Sequence, residues 1–467
     1  MVVGHTRPDG HAGGSGDFGG HDAGTIKGHR GSVLHFLRDP SDHDGEGQAY
    51  EYFEDGILVV EHGKVVHCGD AEDVKSRYPH LEIEDHTPHL IVPGFVDCHV
   101  HYPQTEMIAA YGEQLLEWLD SYVFPVEAKF GDHEHASQVA DFFVKELLRS
   151  GTTTALTFCT VHEESVDALF EASSKRNMLM IAGKVLMDAD PYAPEQLRMN
   201  AVKSYEASKR LIDKWHKRGR CLYAVTPRFA ITSTPEELQL AGKLLGDHQH
   251  DGVYMHTHLN ENKSEIELAT SIHGSESYLS IYDKAKLLGP RSVFAHCVHM
   301  KDSEWKQMKA TDSVMAFCPT SNLFLGSGLV DLHAVKEHKI RCGLGSDVGG
   351  GTSFCQLQSL NEAYKVGQLS GFKLDPLSAF YLLTLGSASA LSLNDRIGNF
   401  LPGKEADFVV LDPGSTALLR HRVSLSSTLQ EKLFLLATLG DDRCIAKTFV
   451  TGCCQFQRRL EKSAQAL

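Results

Sequence analysis

Short apolar runs rich in β-branched residues punctuate the middle of the chain. They fall at Leu90–Val100, Thr153–Thr157, Met178–Leu186, Cys221–Val225, Gly252–Met255, Ser292–Ala295, Ser313–Phe317 and Ile340–Leu344. Several are hydrophobic at nearly every position, as strands buried on both faces of a parallel sheet must be. Between most of them the apolar period changes to that of an amphipathic helix. His135–Arg149 carries Val139, Phe142, Phe143 and Leu147 on one face and stops before Gly151, and Pro235–Leu245 is a second such stretch. Eight strands alternating with helices are the count of an α/β fold of the (β/α)8, TIM-like barrel type.

The two ends of the chain read differently. Strand signals at Ser32–Leu37, Gly56–Val60 and Lys64–His67 are answered near the other end by Ala406–Leu411 and Cys444–Val450. Glu61–Lys64 predicts a hairpin turn with Gly63 at positive φ. The ends are therefore expected to build one small β-sandwich domain together, over 26–92 and 402–467, around a barrel over 93–401. Residues 1–25 are rich in Gly, His and Asp and poor in apolar side chains, which predicts a disordered extension with His5, His11 and His21 solvated. Asp39–Gln48 predicts an exposed polar loop.

Composition narrows the function classes. The 467 residues are 42% hydrophobic and 23% charged, an ordinary soluble composition. Lys and Arg total 45 against 61 Asp and Glu, a formal charge of −16, which argues against nucleic acid or an anionic membrane as partner. The 11 cysteines show no repeated spacing, so reduced thiols in a cytoplasmic protein are expected rather than a disulfide framework. No run reaches transmembrane length and no signal-peptide pattern is present.

The chemistry lies where polar residues interrupt the strand ends. Strand one ends in Asp97-Cys98-His99-Val100-His101, strand five in His256-Thr257-His258 followed by Glu261, strand six at His296, and strand eight at Asp347. Catalytic groups of such barrels sit at the C-terminal ends of strands. His99 and His101 are two apart, so both side chains point to one face. An isolated His-x-His is more often a pair of ordinary histidines. Here three other strand ends supply His, His and Asp, and three imidazoles, one carboxylate and a water make a catalytic zinc site. On strand five either His256 or His258 can be the ligand. His258 is favoured because it stands three before Glu261, with His256 left as a lining or structural histidine. His299 can replace His296 but lies beyond the strand end and ranks lower.

Pro93-Gly94-Phe95-Val96-Asp97-Cys98-His99-Val100-His101 resembles the strand-one signature of the amidohydrolase superfamily. Ile397-Gly398-Asn399-Phe400 followed by Gly403-Lys404-Glu405-Ala406-Asp407 resembles that superfamily's return into its β-domain. Within it, several segments are similar to the guanine deaminases: His101-Tyr102-Pro103-Gln104, Glu117-Trp118-Leu119 with Phe124-Pro125, Gly151-Thr152-Thr153-Thr154, Thr226-Pro227-Arg228-Phe229, His258-Leu259-Asn260-Glu261-Asn262, and Gly343 to Gly350. The likeness spans roughly residues 55–415. It implies one zinc per chain held by His99, His101, His258 and Asp347, with iron open as an alternative metal. It also implies a small purine held by Gln104, Arg228 and Phe229, a proton shuttle at Glu261, a contact from His296 to water or substrate, and a homodimer. The implied reaction is hydrolysis of guanine to xanthine and ammonia. The absence of a lysine at the end of strand four fits a mononuclear site. Replacing Arg228 is expected to cut guanine turnover while sparing stability; an internal ion pair bracing the loop is the competing use of that arginine.

Two kinds of rival remain. One is another reaction on the same scaffold: a triazine chlorohydrolase, a cytosine- or adenosine-type deaminase, or an imidazolonepropionase. The other is a non-catalytic scaffold protein, which the complete set of proposed ligands disfavours.

Overall fold

The computed structural model describes residues 26–42, 47–112 and 114–459. The extension at 1–25 and part of the Asp39–Gln48 loop lie outside the described residues. Seven strands come from the two chain ends: β1 (Lys27–Phe36), β2 (Tyr50–Glu61), β3 (Lys64–Asp70), β4 (Glu82–Pro93), β14 (Phe408–Leu411), β15 (Ile445–Val450) and β16 (Cys453–Gln457). The barrel strands lie between them: β5 (Phe95–His101), β6 (Thr152–Phe158), β7 (Leu179–Gly183), β9 (Cys221–Pro227), β10 (Tyr254–Leu259), β11 (Ser292–His296), β12 (Val314–Phe317) and β13 (Arg341–Leu344), with the short β8 (Val185–Leu186) paired to β9.

The end strands form one sheet in the order β16-β15-β14-β4-β1-β2-β3. Its hairpin turns at His62 and Gly63, at φ 49° and 73°, the positive pair the Glu61–Lys64 turn demands. Phe408 on β14 pairs with Pro93 on β4, so the returning chain docks directly against the strand that leads into the barrel.

The barrel strands run in sequence order from β5 to β13 with all pairings parallel. The circle closes at the catalytic end: Asp347 N–H donates to His99 O at 2.9 Å, and His101 N–H donates to Val348 O at 2.9 Å. Asp97 ties the same two strands, accepting from Ser346 Oγ at 2.5 Å and from the Ser346 and His99 amides at 3.1 Å. Arg220, just before the start of β9, bonds Asp407 and Glu405, each at 2.6 Å, and so fastens the barrel to the end sheet.

Two local readings are corrected. Leu90–Val100 is two strands of different sheets, not one. Gly94 is the joint, where a Cβ would sit 2.1 Å from Thr153 Oγ1, so only glycine lets the chain pass there. The helix His133–Arg149 buries Phe143 and Leu147 but leaves Phe142 half-exposed. Phe142 sits next to Phe143 and is therefore turned about 100° away from it.

Candidate active site

The barrel strands deliver the predicted ligands to one point. His101 Nε2 lies 3.2 Å from His99 Nε2 and 3.2 Å from His258 Nε2. Asp347 Oδ1 lies 3.1 Å from His99 Nε2 and 3.3 Å from His101 Nε2. Four donors around one ion at about 2.0–2.1 Å would stand about 3.3–3.4 Å apart on a tetrahedron. These four edges are close to that spacing, and the donors fall into two overlapping groups, His99 with His101 and Asp347, and His99 with His258 and His296.

The proton positions agree. His258 Nδ1 is 2.7 Å from the Arg228 carbonyl oxygen, which can only accept, so Nδ1 carries the hydrogen and Nε2 faces the site with its lone pair. Burial keeps these rings neutral: it drops His101 to about 3 and pushes His258 well below the usual histidine range. Converging lone pairs repel one another unless a cation lies between them. Burial works against ionisation of Asp347, but the facing rings of His99, His101 and His296 prevail and hold its carboxyl well below the ordinary value.

His256 and His258 share a face, as their spacing requires, but differ in depth by two residues of strand rise. His256 Nε2 lies 2.7 Å from His99 Nδ1, the nitrogen opposite the one that meets His101 and Asp347. His299 turns away and bonds Ser327 O at 2.7 Å. The end of β9 carries Pro227-Arg228 with no lysine.

His296 and Glu261 stand across the centre. His296 Nε2 is buried without a hydrogen-bond partner among the described residues, 3.4 Å from Glu261 Oε2 and 3.7 Å from Asp347 Oδ2. Its Nδ1 meets Asn322 Oδ1 at 2.8 Å, so Nε2 of the neutral ring accepts, and donates only once it too is protonated. Burial, then the charge of Asp347, raises the Glu261 carboxyl to about 8, leaving it protonated at neutral pH. His296 at φ 73° and Asp347 at φ 50° both occupy the left-handed region. Such backbone costs about 1–3 kcal/mol per residue and clusters at functional sites.

Above the centre is a cavity. Gln104, Arg228, Glu261 and His296 line its polar side; Leu115, Trp118, Leu119 and Phe229 line the apolar side. All the predicted site residues except His99 line this cavity, and His99 lies against two of them, His101 and Asp347. Glu127 escaped the sequence reading. Both its oxygens contact Arg228 Nη1, at 2.9 and 2.8 Å, and Gln104 Nε2 donates to it at 3.3 Å. Arg228 thus forms the internal ion pair and lines the cavity at once.

Comparison with known proteins agrees with this geometry. The model of the amidohydrolase family matches residues 90–453. The chain is 50% identical over 436 residues to the guanine deaminase of Escherichia coli K12, covering 93% of this chain and 98% of that one. A solved structure of E. coli guanine deaminase superposes with a TM-score of 0.89 at 49% identity, covering 93% of this chain and 100% of the other. A guanine deaminase from C. acetobutylicum, solved with guanine bound in its active site, gives a TM-score of 0.84 at 28% identity, covering 92% and 100%.

Proposed function

We propose that this chain, which belongs to the amidohydrolase family, hydrolyses guanine to xanthine and ammonia in the cavity over the His99, His101, His258 and Asp347 cluster. The observation that carries the reading is one cavity lined by His101, His258 and Asp347 of that set, by the buried Glu261, and by hydrogen-bond donors at Arg228 and Gln104. His99, His101, His258 and Asp347 would hold the metal. Zinc suits this ligand set, and iron is a chemically reasonable substitute. Once bound, the metal makes a water available for attack at neutral pH.

The chain's own groups do the remaining work. Asp347 Oδ2 is the base that takes a proton from the attacking water. Glu261 gives its proton to the ring nitrogen beside the amino-bearing carbon. The proton collected by Asp347 then leaves with the amine as ammonia, and Glu261 is reprotonated by the added hydroxyl as it becomes the new carbonyl, while the ring nitrogen keeps its hydrogen. His296 Nε2 faces the attacked carbon and, as the acceptor nitrogen of its ring, takes a hydrogen bond from the hydroxyl added there. Phe229 packs on the ring, and Arg228 with Gln104 faces its carbonyl edge. The proposal includes a homodimer in the cytoplasm, a setting that suits eleven cysteines without a disulfide.

Ammonia release measured on purines, pyrimidines and triazines tests the substrate class. Guanine should be the fastest; a pyrimidine or triazine ahead of it would overturn the assignment. Elemental analysis should find about one divalent metal per chain, from one three-histidine, one-carboxylate site. A chelator should abolish activity and zinc should return it. Two metals per chain, or full activity with none, would refute the site as described.

A further inference from the structure

One buried carboxylate stands behind both residues that face the purine edge. Glu127 is 1% exposed, and its two oxygens clasp one end of the Arg228 guanidinium, Nη1. Arg228 Nε and Nη2 have no protein acceptor among the described residues, and the side chain lines the cavity. The face of the guanidinium lies over the Phe124 ring at 5.3 Å. Phe124 and Glu127 are three residues apart in the helical turn Phe124–Glu127, so they present to one side.

Glu127 also fixes Gln104. A carboxylate only accepts, so Gln104 must turn its NH2 toward Glu127 Oε1, at 3.3 Å. Gln104 Oε1 then accepts from the Gly349 N–H at 3.2 Å. The partners, rather than chance, decide which way this amide points.

We infer that Glu127 is a specificity-determining positioning residue, which locks Arg228 and Gln104 as a donor edge that admits a base with a ring carbonyl and rejects one with an amino group there. The inference rests on the guanine reading above. An amino group at that position would set N–H against N–H in a buried site and leave the donors unpaired. Without Glu127 the guanidinium loses its anchor and can turn away, so the wrong base is penalised less.

The test is Glu127→Gln in the full chain with its metal, assayed on guanine and on 2,6-diaminopurine, which carries an amino group in place of the carbonyl. KM for guanine should rise about tenfold or more, with a smaller change in kcat and unchanged metal content. The preference for guanine should fall by about tenfold or more. An unchanged preference with only a lower melting temperature would overturn the proposal, because a purely structural ion pair predicts that. Glu127→Gln leaves the buried Arg228 charge unpaired, so the double variant with Arg228→Met is a second comparison. Its preference should equal that of Arg228→Met alone; effects that multiply would mean that Glu127 does not act through Arg228. A wild-type protein that releases no ammonia from guanine would instead refute the functional reading, before any variant is made.

Discussion

Glu261→Gln is expected to keep the fold and the metal and to lose roughly 10²–10⁴-fold in turnover, the range typical of a lost general acid–base group. Gln preserves size and can still accept from Ser327 Oγ, which lies 3.2 Å from Glu261 Oε1. What it cannot do is give a proton to the ring nitrogen and take one from the added hydroxyl. A bland use for Glu261, capping the helix Lys263–His273, is ruled out by the geometry. That cap is made by Asn262 with Glu265, and the Glu261 backbone N–H itself donates to Glu265 Oε2 at 2.9 Å. Kinetics on guanine, metal content and a melting curve together check the prediction. A variant that turns over at nearly the wild-type rate would remove Glu261 from the proton path.

The cluster of His99, His101, His258, His296 and Asp347 was legible because it obeys local rules. His99 and His101 are placed on one face by strand alternation alone, and His258, His296 and Asp347 by the habit of barrels to carry chemistry at strand ends. Alternation could not choose between His256 and His258, since both obey it; only the depth at which His99 Nδ1 meets His256 Nε2 decides. The break at Gly94 was hidden because apolar residues run through it from one sheet into the next, and the reason for glycine is a residue 59 positions later, Thr153. Glu127 was hidden for the same kind of reason. Its partners lie 23 and 101 residues away, and its own segment is a string of short helical turns with no sustained period to read. Residues defined by their own strand were found, and residues defined by a distant partner were not.

That distant partner changes what Arg228→Met should do. The substitution removes the donors facing the purine carbonyl, and a hydrogen bond from a charged group contributes about 1.5–3 kcal/mol. A loss of roughly 10–10²-fold or more in kcat/KM for guanine is therefore expected. From the sequence alone, stability should be spared, because the resemblance favours a purine-reading Arg228 over one in an ion pair bracing the loop. The structure says otherwise. Glu127 is as buried as Arg228, at 1% and 3% exposure, and would be left a carboxylate with Gln104 as its remaining side-chain partner. Breaking such a pair destabilises by about 3–5 kcal/mol, whereas removing both charges at similar volume is often neutral. Arg228→Met should accordingly melt at a clearly lower temperature. Arg228→Met combined with Glu127→Gln should regain most of that stability and none of the guanine turnover. Calorimetry and steady-state kinetics on both proteins separate the two roles. Recovery of activity together with stability would show that Arg228 braces the cavity wall without reading the base, since methionine offers the carbonyl no donor at all.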